Sequence, residues 1–499
     1  MTLVQNFPFA AIMLCLAGGA VCCALKPRAA MAVGICLNAV IAAMMAVTLV
    51  YTLGTGESYR YMMGHFPAPW GNEIRIGPLE SLMGLAFPLV MTTILAGGSA
   101  HIREDVEPKK TQFYYAVVCL LMASLLSLTF TNDLFTAYVF VEINTLTSCA
   151  LVMIRYKNGT ALTATIRYLI MSLLGSGLFL IGVVILYHVT GHLLMEPIGE
   201  NIRKLNATGE YAFPLTLTVA LFSVGLALKS ALWPFSAWLP DAHASATTAS
   251  SGILSGLVIK GYIILLIKIF YRVIGLDIIL TDGVTHILFI FGIGGMVVGS
   301  MYALREKDIK RMLAYSSVAQ VGYIFAGIGM GTEAGMTAAC IQILVHAATK
   351  PMLFHAAGEM ISVSGGSRQF SRLRGAGRRD PLAGILFTVG AFSMIGIPLF
   401  AGFATKYWLS SAAVGLLGWK GIAALAALVI STVLNAMYYL PALQILFDKS
   451  PEKGQAAAAG RRPFLSAAAS AVFLILQFAI GFSFSRIAEM IQTGLKTLG

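Results

Sequence analysis

The chain has 499 residues, of which 58% are hydrophobic and only 11% charged, with a formal net charge of +12. A mean hydropathy of +0.81 excludes a soluble domain. Apolar stretches of about 20 residues recur along the whole length, the pattern of an all-α polytopic membrane protein with no stretch polar enough for a separate soluble domain.

Fourteen transmembrane spans are predicted. They lie near 6–25, 30–53, 78–99, 112–131, 133–154, 160–188, 212–239, 244–272, 283–304, 311–330, 334–361, 381–414, 418–447 and 463–486. No positive charge precedes the first, and Lys26-Pro-Arg28 follows it, so it reads as a retained helix rather than a signal peptide. Two longer loops, 54–77 with Pro67, Pro69 and Gly71, and 189–211, follow even-numbered spans.

Lysine and arginine segregate between the two sets of loops. Loops after odd-numbered spans hold twenty, including Arg103, Arg155, Lys310, five arginines from Arg368 to Arg379, and Lys449, Lys453, Arg461 and Arg462. The other side holds nine, among them Arg60, Arg75, Lys268, Arg272 and Lys420. Positive charge favours the cytoplasmic side, so the odd loops are expected there and both termini outside. This asymmetry accounts for the net charge without nucleic acid.

Two spans read as broken. Pro234 and Pro240 follow Lys229 in the seventh, and Gly396-Ile-Pro398 precedes Lys406 in the twelfth. Inside a membrane, proline breaks are tolerated where the backbone lines a cavity or is buried in protein. Spans 7 and 12 are five apart, so blocks 111–273 and 274–447 would form two five-helix repeats, inverted because five is odd. Residues 1–110 would form an N-terminal three-helix segment and 448–499 a C-terminal helix.

Within these spans lie charges that a bilayer resists. A lysine at the centre of a membrane helix costs about 2.5–3.5 kcal/mol, and such residues face the bundle interior and mark ion or proton paths. Glu142 is the deepest acid, and Lys229, equally deep in the same block, is its natural partner. Paired, Lys229 holds its proton; with the pair loosened, the proton leaves. Lys260 lies mid-span, whereas Lys268 and Arg272 near the end of that span are expected to snorkel to the interface. His346 and Lys350 share one helical face at i, i+4, with Pro351 and His355 beyond, a pair able to hand a proton along the membrane plane. Lys406 has no charged neighbour in sequence and is the candidate terminal donor.

Other features carry less chemistry. Ser245–Ser251 either lines a hydrated channel or supplies small-residue packing. Trp233 and Trp238 are expected to pack around the seventh-span break, and Asp133 to cap a helix. Glu80, Glu359 and His101, near span ends, are expected to be solvated or interfacial. The seven cysteines lie in apolar spans without Cys-x-x-Cys or Cys/His ligand spacing and read as packing, so no iron–sulfur cluster, haem, zinc or other cofactor is expected.

The segments VFVEI around Glu142, ALKSALWPFSAWLPDAHASA, LVIKGYIILL, REKDIKRMLAYSSVAQVGYI, LVHAATKPMLFHAAGEM and GIPLFAGFATKYWL resemble the signature segments of antiporter-like subunits. That family includes the large proton-pumping membrane subunits of respiratory complex I, the D-type subunit of Mrp cation/proton antiporters and matching subunits of membrane-bound hydrogenases. The resemblance covers about residues 110–415. It implies fourteen helices, inverted repeats and broken helices 7 and 12. It also implies a proton path through Glu142, Lys229, Lys260, His346, Lys350 and Lys406, and partnership with other integral membrane subunits and a redox module or a sodium gradient. Two alternatives stand beside a redox-linked pump: a cation/proton exchanger module without a redox partner, and a non-pumping scaffold or inorganic-carbon uptake partner.

Overall fold

Among the described residues of the computed structural model, thirteen helices are long and apolar enough to cross a membrane. The structure describes residues 2–67, 71–157, 159–209, 211–276, 278, 283–416, 418–449 and 463–498; Pro69, Lys453, Arg461 and Arg462 lie outside the described residues. In order, the principal helices are α1 (Phe7–Ala24), α2 (Pro27–Thr55), α3 (Pro78–Asp105), α4 (Thr111–Phe130), α5 (Leu134–Met153) and α6 (Gly159–Thr190). There follow α7 (Met195–Thr208), α8 (Ala212–Lys229), α9 (Trp238–Ser245), α10 (Thr248–Ile274), α11 (Val284–Arg305) and α12 (Ile309–Gly329). The chain continues through α13 (Glu333–Ser362), α14 (Pro381–Ile395), α15 (Ala401–Gly415), α16 (Trp419–Leu446), α17 (Phe464–Phe482) and α18 (Phe484–Lys496).

The expected twelfth span is divided: α14 and α15 are each 15 residues long, separated by Gly396–Phe400. Gly396 at φ 89° starts the break and Leu399 at φ 79° completes it. The seventh span divides likewise, α8 ending at Lys229 and α9 resuming after a 3-10 turn, Phe235–Ala237.

Helices α10 and α13 are buried along their whole spanning windows, and α12 nearly so. A helix apolar on every side belongs in the core, and these three carry Lys260, Lys310, His346 and Lys350. The outer helices present apolar side chains outward, such as Val50, Val184, Ile422 and Phe482, the surface that lipid or neighbouring subunits cover. Small residues set the closest approaches: a Cβ on Gly256 of α10 would lie 2.5 Å from Pro351 Cγ of α13.

The two long even loops are structured. Loop 54–77 contains an antiparallel hairpin, β1 (Tyr59–Met62) with β2 (Glu73–Ile76), pairing Tyr59 with Ile76 and Met62 with Glu73. Loop 189–211 contains the amphipathic α7, whose Met195, Ile198 and Ile202 are buried. The last expected span ends at Phe482, and α18 continues as a separate amphipathic helix with Ala488, Ile491 and Leu495 buried.

These additions overturn three expectations. Lys268 and Arg272 do not snorkel; both are buried. Lys268 Nζ donates to the carbonyls of Leu128 (3.3 Å), Thr129 (2.8 Å) and Thr131 (2.6 Å), at and just beyond the end of α4, where helix carbonyls lack partners. Glu80 is not solvated: it pairs with Arg272 at 2.7 Å, both side chains 1% exposed. Glu359 is also enclosed, with a side chain 13% exposed, beside His101. The physical cause is cover: β2 and α18 close over the ends of α3 and α10 at Glu80 and Arg272, while His101 of α3 and Ser466 of α17 enclose Glu359 at the opposite end of the bundle. Asp133 does cap α5, accepting from Thr136 N at 2.6 Å.

Candidate functional site

Lys229 is the last residue of α8 and is fully buried. Its stem passes Gly175 of α6, where a Cβ would lie 3.1 Å from Lys229 Cγ. The helix-end carbonyls beside it form the negative end of the α8 dipole. The break re-satisfies its own backbone: Leu232 N donates to Ala227 O at 3.1 Å, and Trp238 Nε1 to Leu228 O at 3.3 Å. Trp238 stacks on Tyr168 with centroids 4.2 Å apart, so it packs around the break as expected.

The ammonium of Lys229 donates to Thr145 Oγ1 of α5 at 2.7 Å rather than to Glu142 directly. Glu142 lies three residues before Thr145, hence on the same face, and is half-buried. Thr145 in turn lies 3.3 Å from Tyr262 Oη on α10, and Lys229 Nζ is 5.2 Å from that ring's centroid. Lys229 therefore touches both the Glu142 helix and the Lys260 helix.

Lys260 follows a π-helical turn, Leu254–Val258. A π turn spaces backbone groups differently from the α ladder, a feature frequent at functional sites. Lys260 Nζ donates to the Ser255 carbonyl of that turn and contacts His346 Nδ1 on α13. His346 is fully buried, and its Nε2 has no hydrogen-bond partner. One turn on, Lys350 Nζ donates to Leu313 O (3.1 Å) and Ser316 Oγ (2.6 Å) of α12. Ser255 Oγ also meets Ser317 Oγ at 2.8 Å, joining α10 to α12.

From Ser316 the polar chain enters α16. Tyr438 Oη spans Ser316 Oγ (3.0 Å) and Asn435 Oδ1 (2.8 Å), and Tyr439 Oη also meets Ser316 at 3.0 Å. Asn435 Nδ2 donates to Met394 O at 3.2 Å, at the end of α14. The next carbonyl, Ile395 O, accepts from Lys406 Nζ, which also donates to Thr432 Oγ1 at 2.7 Å. Thr432 and Asn435 are three apart on α16. Gly396 is needed here twice over, for its positive φ and because a Cβ there would overlap the Lys406 stem.

The structure thus gathers Lys260, His346 and Lys350 into one cluster. Lys229 approaches it through Thr145 and Tyr262, two residues along α10 from Lys260, and Lys406 joins it by Ser316–Tyr438–Asn435. The sequence reading missed those linking hydroxyls. It also missed Lys310, buried and donating to Ala246 O at 2.7 Å, and His243, stacked on Phe354 with both ring nitrogens buried and unpartnered. The only sequence signal for His243 was its place three residues past Pro240 in the broken span.

Comparison with known proteins agrees with this geometry. Residues 131–435 match the family described as NADH:quinone oxidoreductase/Mrp antiporter, TM. NADH-quinone oxidoreductase subunit N of Desulforudis audaxviator is 33% identical over 87% of this chain and 86% of its own length. The putative antiporter subunit mnhD2 of Staphylococcus aureus is 30% identical over 77% of this chain and 73% of its own. In fold, the chain resembles one in the membrane-bound sulfane sulfur reductase, an archaeal respiratory membrane complex (TM-score 0.85, 24% identity, 99% of this chain and 97% of that one). It also resembles one in the Mrp complex of Dietzia sp. DQ12-45-1b (TM-score 0.84, 24% identity, 100% and 98%).

Proposed function

Because the chain belongs to the NADH:quinone oxidoreductase/Mrp antiporter membrane-subunit family, we propose that it moves protons as the antiporter-like subunit of a multi-subunit membrane complex. The observation that carries this reading is the series of buried polar groups from Lys229 to Lys406 across the core helices α8, α5, α10, α13, α12, α16 and α15. Each embedded amine rests on hydroxyl or carbonyl oxygens, with His346 added at Lys260, rather than on a carboxylate. A fixed ion pair would hold the proton in place, whereas neutral oxygens tolerate either protonation state of the amine.

In this reading Glu142 and Lys229 form a loose switch with Thr145 between them. Protons taken up from the cytoplasm near Lys229 or Lys260 pass laterally through His346 and Lys350 and leave from Lys406. Blocks 111–273 and 274–447 act as inverted repeats, each with its broken helix, flanked by segments 1–110 and 448–499. The complex sits in the cell membrane with both termini outside. Energy comes from a neighbouring redox module. The match to an antiporter subunit favours a second reading in which a sodium gradient drives the same path.

The test is reconstitution of the intact complex into vesicles carrying a pH-sensitive dye. Lys406→Ala is expected to abolish proton movement in an assembled complex, and Lys406→Glu, which can still carry a proton, to keep part of it. Normal pumping by Lys406→Ala with a dead Lys229→Ala would place the exit elsewhere. Normal pumping by both would leave a scaffold. Movement driven by an imposed sodium gradient alone would select the second reading.

A further inference from the structure

A cavity of about 450 Å³ opens among the odd loops, lined by residues that include His101, Glu104, Asp105, Arg155, Lys310 and Arg368. Beneath it lies a chamber of about 10 Å³ that shares His101 and Thr248 and reaches Pro351 and His355. That volume holds about one water molecule. Pro351 directly follows Lys350, and lacking an N–H it leaves the Ala347 carbonyl without its helix bond.

The basic groups of the larger cavity are already engaged. Arg155 lies 3.4 Å from Asp105, Arg368 lies 3.2 Å from Asp308, and Lys310 holds Ala246 O. What remains toward the chamber is a relay of titratable groups. His101 Nδ1 is 3.7 Å from Glu104, whose side chain is 70% exposed. His101 Nε2 is 3.5 Å from Glu359 Oε1, and that same oxygen is 4.0 Å from His355 Nε2. α17 brings hydroxyls and an aromatic ring to the relay: Ser466 donates to Glu359 at 2.7 Å, Ser470 lies 3.3 Å from His355, and the Phe473 ring centroid is 6.0 Å from that of His355. From α10 the chamber receives Thr248, Ala249 and Gly252, none of them charged.

We propose that the cleft between α3 and α13 is a proton inlet, in which Glu104, His101, Glu359 and His355 load the His346–Lys350 pair from the odd-loop face. This rests on the proton-translocating reading above and deepens it by giving the second half of the chain its own uptake route. A static clasp between α3 and α13 would need one ion pair. The cleft instead alternates carboxylate and imidazole from Glu104 to His355, each within a proton hop or one bridging water of the next, and its chamber ends at Pro351, the residue after Lys350.

The test uses the intact complex in vesicles, with proton uptake from the odd-loop side followed as the pH on that side is varied. Glu359→Gln keeps the shape and the Ser466 hydrogen bond but cannot carry a proton. It is expected to slow uptake at alkaline pH by roughly tenfold or more, with recovery as that side is acidified. Independently, Ser362 is exposed on the cavity wall. Ser362→Cys modified by a bulky, membrane-impermeant thiol reagent is expected to block uptake, while the same reagent leaves the parent complex active despite exposed Cys23 and Cys36. If Glu359→Gln fails to assemble, the thiol block alone decides. Unchanged uptake in both variants with Lys350→Ala inactive overturns the inlet and keeps the transport reading. Unchanged uptake in all three overturns both.

Discussion

Thr145 is a one-hydroxyl link on which two expensive groups depend. Lys229 makes its hydrogen bond to Thr145 rather than to Glu142, so in the proposed switch Thr145 stands between the ammonium and the carboxylate. Thr145→Val keeps the shape and removes the acceptor. A hydrogen bond to a charged group is worth about 1.5–3 kcal/mol, so roughly ten- to hundredfold slower proton movement is expected in assembled complex, measured in dye-loaded vesicles. Thr145→Ser is expected to restore most of it. Equal rates in Thr145→Val and the parent would mean that Lys229 finds Glu142 directly. The burial of Lys229, Lys260 and Lys350 was legible in the sequence because a charge in the middle of an apolar run, too far from either end to snorkel, must face protein. Thr145, Ser316 and Tyr438 were not, because hydroxyl residues in spans are common and bond their own helix: Thr145 itself also donates to Val141 O at 2.9 Å.

The broken helices were legible too, since Pro234 and Gly396-Ile-Pro398 leave few alternatives in a span. The ends of α3 and α10 at Glu80 and Arg272 were misread because their cover comes from elements far away in sequence. Arg272 of α10 reaches Glu80 of α3 (2.7 Å), Asn132 beyond α4 (3.1 Å) and Leu498 O beyond α18 (3.1 Å). Arg75 of β2 donates to Thr497 O at 3.1 Å, and Asn132 to Glu73 Oε1 at 2.6 Å. Glu80 also accepts from Gly77 N at 3.1 Å, capping α3 behind Pro78. Four elements are thus clamped on one buried guanidinium. Glu80→Ala strands that charge, and removal of one partner of a buried pair costs about 3–5 kcal/mol. The complex is expected to unfold at lower temperature in detergent and to assemble poorly. The double variant Glu80→Leu with Arg272→Met removes both charges and is expected to recover much of the loss. If the double variant is no better than the single, the clamp acts through Gly77 or Leu498 rather than through the ion pair.

Across the whole molecule the loops sort into two faces by contact. On one, Arg155 meets Asp105, Lys157 meets Glu107, Arg311 meets Asp241, and Asp308 bridges to Gln369. On the other, Ile74 bridges to Thr131, Asp133 to Leu194, and Arg272 holds Leu498 O. The first face joins only odd loops and the second only even ones, which is the segregation that the lysine and arginine count of the sequence required. The proposal that the odd-loop face is the cytoplasmic one rests on its excess of lysine and arginine, which cytoplasmic loops retain. Thr2 and Lys496 are exposed, as is Ser362 on the opposite face. Thr2→Cys and Lys496→Cys are therefore expected to react with an impermeant thiol reagent in intact cells, and Ser362→Cys only in inverted vesicles, each against the parent with its native cysteines. The reverse pattern would turn the molecule over. The inlet at His101 would then open to the outside, and any uptake from the cytoplasm would have to begin on the face where Arg272 and Glu80 seal the ends of α3 and α10.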